Sequence, residues 1–239
     1  MYYAVMADIH SNLEALTRVL REIGAKKPDK IVSPGDIVGY GADPNECLNL
    51  VVENCDLVVM GNHDQAIQDV ELRTSFNEMA RAAIEWTADC LPEESKEKIR
   101  TWPRLSVDQA ADLTVVHASP NEPGKYHYLF DSHDAETSFA LFSTRVCFIG
   151  HTHVPSLFSS SGSSGYLSAG KHQLSREQRY IINPGSVGQP RDRNPQASVA
   201  FYDSEKLELE IVRLDYDNQT AAQKIRNAGL PSFLADRLL

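Results

Sequence analysis

Short apolar runs and helically spaced apolar positions take turns along this chain. Residues 2 to 7 (YYAVMA) form a short apolar run, as a buried strand does. Leu13, Leu16, Val19, Leu20 and Ile23 then recur at helical spacing. Ser11 or Asn12 can cap that helix, and Gly24 is expected to stop it. Lys30 to Ser33 is a second strand, a helix starts at Pro44 and runs to about Asn54, and Leu57 to Met60 is a third strand. This βαβαβ order predicts a parallel sheet with right-handed crossovers.

Beyond it, Phe76, Met79, Ala80, Ala83, Ile84 and Thr87 share one helix face, ended before Leu91-Pro92, and a short helix covers Glu93 to Arg100. Strands are expected at Leu113 to Val116, Val146 to Ile149, Tyr180 to Ile182, Ser198 to Tyr202 and Leu207 to Leu214, with a helix from Ala135 to Ser143. The segment SSSGSSG, residues 159 to 165, suits a hairpin tip. Val199–Tyr202 and Leu207–Val212, separated by DSEK, read as a hairpin. Residues 217 to 228 form a last helix, followed by a helical turn or two in LPSFLADRLL.

With 239 residues, 42% of them hydrophobic and 23% charged, the chain suits a single domain that needs no disulfide or structural metal for stability. Cys47, Cys55, Cys90 and Cys147 form no C-x-x-C pair and are expected as small buried hydrophobes. There is no basic, apolar leader and no run of 18 apolar residues, so a cytoplasmic protein without a membrane partner is expected. Lys and Arg total 23 against 33 Asp and Glu, a net charge of −10, which repels long nucleic acid and anionic membranes. By charge alone, phosphate-bearing substrates would be disfavoured too.

The positions of metal-type residues change that picture. Five of the eight histidines directly follow expected strands: His10, His63, His117, His151 and His153. Asp8, Asp36, Asn62 and Asp64 accompany them, within Asp8-Ile9-His10, Gly35-Asp36, Gly61-Asn62-His63-Asp64 and Gly150-His151-Thr152-His153. In an open parallel sheet the strands' carboxyl ends share one edge, where ligands bind. On extended backbone, a D-x-H or H-x-H step points both side chains the same way, so each pair can chelate an ion. Two Asp, one Asn and four His, with His63 left over, suit two hard or borderline divalent ions. Two such ions about 3.5–4 Å apart can clamp a phosphoryl group and generate hydroxide near neutral pH. His127, His133 and His172 are expected as ordinary surface or satisfied histidines.

The blocks DIHSN, GDIVGYG, GNHD, VVHASP and GHTH, in that order, resemble the calcineurin-like metallophosphoesterase superfamily, in particular its small bacterial and archaeal stand-alone branch. The resemblance spans about residues 1–203 and closes with INPGSVGQPRDRNPQASVAFYD; a hairpin strand and helices follow at 204–239, all expected within one 1–239 domain. It implies a mixed α/β fold, a four-layer αββα sandwich with two mixed β-sheets. It also implies two divalent ions, Mn2+ first among Mn, Fe, Co, Ni and Zn. Asp8, His10 and His153 would bind one ion, Asp36 would bridge, and Asn62, His117 and His151 would bind the other. A bridging hydroxide would attack phosphorus, His63 would act as general acid, Asp64 would orient His63, and Asn62 would also contact phosphate.

The sequence departs from protein serine/threonine phosphatases and bacterial diadenosine tetraphosphatases after the second block. Those carry an arginine there, whereas Gly39-Tyr40-Gly41 stands in this chain. Arg191, on a different loop, is the candidate to replace it, with Tyr40 beside the pocket or simply packed. Residues 121–134 are a candidate lid carrying Lys125 and His127. The implied activity is hydrolysis of small phosphodiesters or phosphomonoesters. Alternatives are a dinucleoside polyphosphate or nucleotide hydrolase, a phosphoprotein phosphatase, and a non-catalytic interaction module, against which the retained His63 argues. Two divalent ions would add four positive charges beside Asp8 and Asp36, so an acidic chain can still bind a small phosphate ester.

Overall fold

The computed structural model describes residues 1–239. Its strands are β1 (Tyr2–Val5), β2 (Lys30–Ser33), β3 (Leu57–Val58), β4 (Leu105–Asp108), β5 (Leu113–Val116), β6 (Val146–Phe148), β7 (Ser156–Ser159), β8 (Ser164–Tyr166), β9 (Gly170–Gln173), β10 (Tyr180–Asn183), β11 (Ala197–Asp203) and β12 (Glu208–Leu214). The helices are α1 (Leu13–Lys26), α2 (Pro44–Asn54), α3 (Asn62–Ala66), α4 (Val70–Arg73), α5 (Glu78–Cys90), α6 (Glu93–Arg100), α7 (Ser132–Ser138), α8 (Asn218–Asn227) and α9 (Ser232–Asp236). No helix is long and apolar enough to cross a membrane.

The strands form two six-stranded mixed sheets, ordered β3-β2-β1-β11-β12-β9 and β4-β5-β6-β10-β7-β8. The expected parallel β1-β2-β3 unit is present, and so is the β11–β12 hairpin, in register from Ala197↔Leu214 to Asp203↔Glu208. Period-two alternation explains how the layers assemble. Tyr3 and Val5 of β1 face Val115 and Phe148 of the second sheet in one buried cluster, together with Ala200, Tyr202 and Ile182. The intervening Ala4 and Met6 pack with Val199 and Phe201 against α1 and α2, through Leu16, Val19, Leu48 and Val51. On the outer face of the second sheet, Val116, Cys147 and Ile181 pack with Ala135 of α7 and with Phe139, the residue that ends it. Two sheets are thus pressed together between helical layers, the αββα sandwich the sequence implied. A fully buried aliphatic or aromatic side chain contributes about 1.5–3 kcal/mol to such a stack.

Several local expectations shift. Asn12, not Ser11, caps α1, accepting from the Ala15 N–H at 3.1 Å. Gly24 does not stop that helix, because it lies inside α1; Lys27, at φ 51°, ends it. The helix expected at 135–143 is α7, displaced toward the N-terminus because Asp131 caps it through the His133 and Asp134 N–H groups. Strands β4, β7, β8 and β9 were not expected from the pattern. The last two are exposed almost throughout, so they carry no apolar periodicity. SSSGSSG does connect the antiparallel pair β7–β8. The cysteines are free thiols, but only Cys47 and Cys147 are buried, and Cys90 is exposed.

Candidate metal centre and active site

The metal-type residues do not share one sheet edge. Asp8, Asp36 and Asn62 follow β1, β2 and β3 of the first sheet, whereas His117 and His151 follow β5 and β6 of the second. The carboxyl ends of parallel strands from both sheets converge, because the sheets stack with those strands at matching positions. Nor is the backbone extended where the ligands sit. Asp8, His10, Asp36, His151 and His153 all have φ between 49° and 69°. Strand alternation therefore does not aim D-x-H and H-x-H; left-handed turns do. Each such non-glycine residue costs about 1 kcal/mol or more and persists only where its surroundings hold it.

The surroundings do so through backbone hydrogen bonds. Asp8 N–H donates to Gly35 O, His10 N–H to Asp36 O and Ser11 N–H to Ile37 O, at 2.9–3.0 Å. The Asp64 carboxylate accepts from the N–H groups of Asp36 (2.8 Å), Ile37 (2.9 Å), Val38 (3.2 Å) and Gly61 (3.0 Å). Asp64 is thus fully spent on the backbone that carries Asp36. It makes no hydrogen bond to the His63 ring, whose buried Nδ1 has no partner. The expectation that Asp64 orients His63 is corrected on that ground.

Two ligand groups share Asp36. Donor atoms of Asp8, His10, Asp36 and His153 lie within 4.8 Å of one another, as do those of Asp36, His117 and His151. Asn62 Oδ1 lies 3.0 Å from His117 Nε2 and so joins the second group. The ring nitrogens reveal what these groups require. His10 Nδ1 donates to Val38 O at 3.1 Å and His153 Nδ1 to Gln189 O at 2.7 Å. Burial holds both imidazolium forms well below the usual histidine range, so both rings are neutral and their single proton is on Nδ1. Their Nε2 lone pairs then face each other at 3.1 Å, a contact that only a cation between them satisfies. His117 Nδ1 likewise donates to Pro34 O at 2.9 Å, aiming Nε2 at Asp36 Oδ2 (3.3 Å), Asn62 Oδ1 and His151 Nδ1 (3.2 Å). Histidines locked to backbone carbonyls in this way are the usual outer support of a metal site. The donor set, imidazole nitrogen with carboxylate and amide oxygen, fits divalent ions of the Mn to Zn series.

Charges in the chain alone follow from burial and proximity. Burial depresses the His117 imidazolium, but the Asp36 carboxylate more than offsets it and raises His117 to about 9. Burial raises Asp8 to about 7 and lowers His63 to about 4.

A cleft of about 230 Å³ opens onto this cluster, lined by Asp36, Asn62, His63, His151 and His153 at the ligand end. Arg191 lines it as well. Its Nη2 donates to Gln189 Oε1 at 3.1 Å and to Tyr40 Oη at 3.4 Å, its guanidinium lies 5.8 Å from the Tyr40 ring centre, and its buried Nε has no partner. It forms no ion pair with any carboxylate, so its charge is available to an anion. Of the 121–134 segment, Lys125, Tyr126 and Tyr128 line the cleft. His127 instead lies 3.6 Å from Glu122, and His172 bonds Ser168 O, both away from the site. The sequence pattern did not single out Phe76, Asn77 and Tyr128 as cleft residues, nor Asn183 as a support. The Asn183 amide donates to Gly150 O and to Thr152 Oγ1 and so holds the His151–His153 turn. The INPG block containing Asn183 was the available signal.

The comparisons with known proteins agree with this architecture. Residues 1–207 match the family model of the calcineurin-like phosphoesterase superfamily domain. The chain is 40% identical to protein MJ0912 of Methanocaldococcus jannaschii over 239 residues, covering 98% of this chain and 96% of that protein. It is similar to the solved structure of a metallophosphoesterase from Sphaerobacter thermophilus, with a TM-score of 0.89, 38% identity and coverage of 100% and 98% of the two chains. Protein PH1004 of Pyrococcus horikoshii shares the fold, with a TM-score of 0.81 at 22% identity, over 99% of this chain and 97% of that one. This chain belongs to the calcineurin-like phosphoesterase superfamily.

Proposed function

We propose that this protein hydrolyses small phosphodiesters or phosphomonoesters with two divalent ions, Mn2+ foremost. Asp8, His10 and His153 hold one, Asn62, His117 and His151 hold the other, and Asp36 is shared. One observation carries the reading: two groups of buried donor atoms meet at a single carboxylate, with imidazole lone pairs opposed at 3.1 Å. When bound, the ions would supply acidified water as nucleophile and neutralise phosphoryl charge.

The chain's own groups supply the rest. Arg191 reaches the cleft with no carboxylate partner and takes a non-bridging phosphate oxygen, in place of the arginine missing beside Tyr40. Asn62 adds an amide donor to the same phosphate. His63 packs its Nδ1 face against Gly39, where a side chain would not fit, and its Nε2 makes no hydrogen bond to the protein. An anionic ester beside the ring opposes the lowering by burial and raises the imidazolium. His63 then passes a proton from Nε2 to the departing oxygen. The ring is positioned by packing between His10, Tyr40 and Phe76, with centroids 4.4–4.9 Å away, rather than by a carboxylate.

The test is turnover of bis(p-nitrophenyl) phosphate and p-nitrophenyl phosphate by metal-stripped protein reloaded with Mn2+, alongside metal analysis of the purified protein. Turnover with about two ions per chain is expected, and His63→Asn should lower kcat by about 100-fold or more at unchanged metal content. Absence of turnover with Mn2+, Co2+ and Ni2+, or a His63→Asn rate equal to wild type, refutes the proposal.

A further inference from the structure

The cleft is not symmetric about the ligand cluster. His63 packs beside His10, in the first ligand group, and His151 beside His117, in the second. Leu72 of α4, Ala80 of α5, and Ser75, Phe76 and Asn77 of the connection between them line the His63 end of the cleft. The Phe76 ring lies 4.9 Å from the His63 ring, tilted by 42°. The other end is covered by Tyr128, stacked on His151 at 4.1 Å and in turn covered by Phe130 at 4.9 Å with nearly parallel planes. Tyr128 thus has neighbours on both faces, while Phe76 stands half-buried at the cleft wall. Asn77 spends Oδ1 on capping α5 through the Ala80 N–H at 3.0 Å, and its amide NH2 makes no hydrogen bond to the protein. A ring edge, an aliphatic neighbour, a small residue and an unused amide donor thus lie together beside the proposed proton donor.

We infer that Leu72, Phe76, Asn77 and Ala80 form a leaving-group subsite that selects phosphate esters whose departing alcohol carries an unsaturated ring. The inference rests on the proposed role of His63, because the group that receives its proton must sit beside it. Phe76 offers an aromatic surface for edge or offset stacking, Leu72 and Ala80 leave an apolar slot next to it, and the Asn77 amide can meet an acceptor on the ring edge. A straight-chain leaving group would leave Phe76 uncovered and the Asn77 amide unmatched.

The experiment is calorimetric titration of Mn2+-loaded full-length protein with phenylphosphonate and with methylphosphonate, which read binding independently of turnover. Wild type should bind phenylphosphonate about tenfold more tightly, equivalent to about 1.4 kcal/mol. Phe76→Ala should bring the ratio near one, and Phe76→Leu, which keeps an apolar side chain against the helix core, should reduce it. Tyr128→Ala should retain it. Equal affinities in wild type, a ratio that survives in both Phe76 variants, or a ratio lost only in Tyr128→Ala overturns the subsite. Ring-selective binding that depends on Phe76 but comes without turnover of any ester would refute the proposed hydrolysis and with it the leaving-group role, leaving Phe76 as a ring-binding wall only.

Discussion

Replacing Asp64 with asparagine separates two roles for this residue. If Asp64 oriented His63, Asp64→Asn would cut the rate and leave stability alone. The hydrogen bonds point elsewhere: Oδ2 accepts from Asp36 and Gly61 N–H at 2.8 and 3.0 Å, and Oδ1 from Ile37 and Val38 N–H at 2.9 and 3.2 Å. An asparagine oxygen can keep one of these pairs, but its NH2 then faces the other two N–H groups, donor against donor. Hydrogen bonds to a charged acceptor are worth about 1.5–3 kcal/mol each, so losing two costs about 3–6 kcal/mol. For a chain of this size about 1 kcal/mol moves Tm by about 2–4 °C, so the melting temperature should fall by roughly 6–24 °C. Asp36 and the left-handed turns of the first two blocks would lose their support together, and metal content should fall with Tm. Differential scanning calorimetry and metal analysis on the same samples read both. A Tm within about 2 °C of wild type with full metal content, whatever the rate, would refute the scaffold role.

Asp36→Asn removes the carboxylate common to both ligand groups, so metal analysis should show loss of both ions rather than one; retention of one ion per chain would mean that the groups are independent. Gly61→Ala places a Cβ against the Asp36 Oδ1 and backbone N, neither of which can give way, so soluble yield and Tm should both fall; a wild-type melting curve would contradict the packing. In the metal-free chain Asp36 holds His117 up at about 9, above the ordinary histidine value, so the stability it adds is fully present below about pH 6.5 and fades as pH rises through about 9. Metal must displace that proton. Loading with Mn2+ near pH 8 should therefore release about one proton per chain from this group, read by titration in two buffers of different ionisation enthalpy, and no net release would contradict it.

Much of the architecture was readable because its signals are local. Tyr3 and Val5 against Ala4 and Met6 need only strand periodicity, and the α1 face needs only helical spacing. The exposed strands β8 and β9 were unreadable for the same reason: their positions are set by pairing with β7 and β12, and no face of them is buried enough to select apolar residues. At the site, the blocks marked the ligand residues without giving the geometry that joins them. The sequence reading brought Asp8 and His10 together by strand alternation, yet both are in left-handed backbone. Such a conformation is paid for by partners far along the chain, such as Gly35, Asp64 and the Ser186 hydroxyl that donates to Asp8 O. No window of sequence around residues 8–10 contains them. Asp64 was misassigned because adjacency to His63 suggested contact, whereas α3 turns consecutive side chains about 100° apart and sends the carboxylate back under Asp36.

Net charge is the clearest case of a global quantity answering a local question wrongly. A value of −10 describes the whole surface, and at physiological ionic strength charges farther than about 8 Å through solvent are largely screened. At the bottom of the cleft the field is set by fewer groups. Asp8, Asp36 and Asp64 are buried; the first two face imidazole nitrogens, and the third is neutralised in effect by four N–H dipoles. Arg191 lines the same cleft with no acidic partner, whereas Lys125, which also lines it, is paired with Glu122 at 2.7 Å. Acidic side chains elsewhere cannot oppose an anion there as strongly as these neighbours attract it. A single phosphate group at the cleft floor therefore meets Arg191 and these neighbours rather than the net charge of the whole chain.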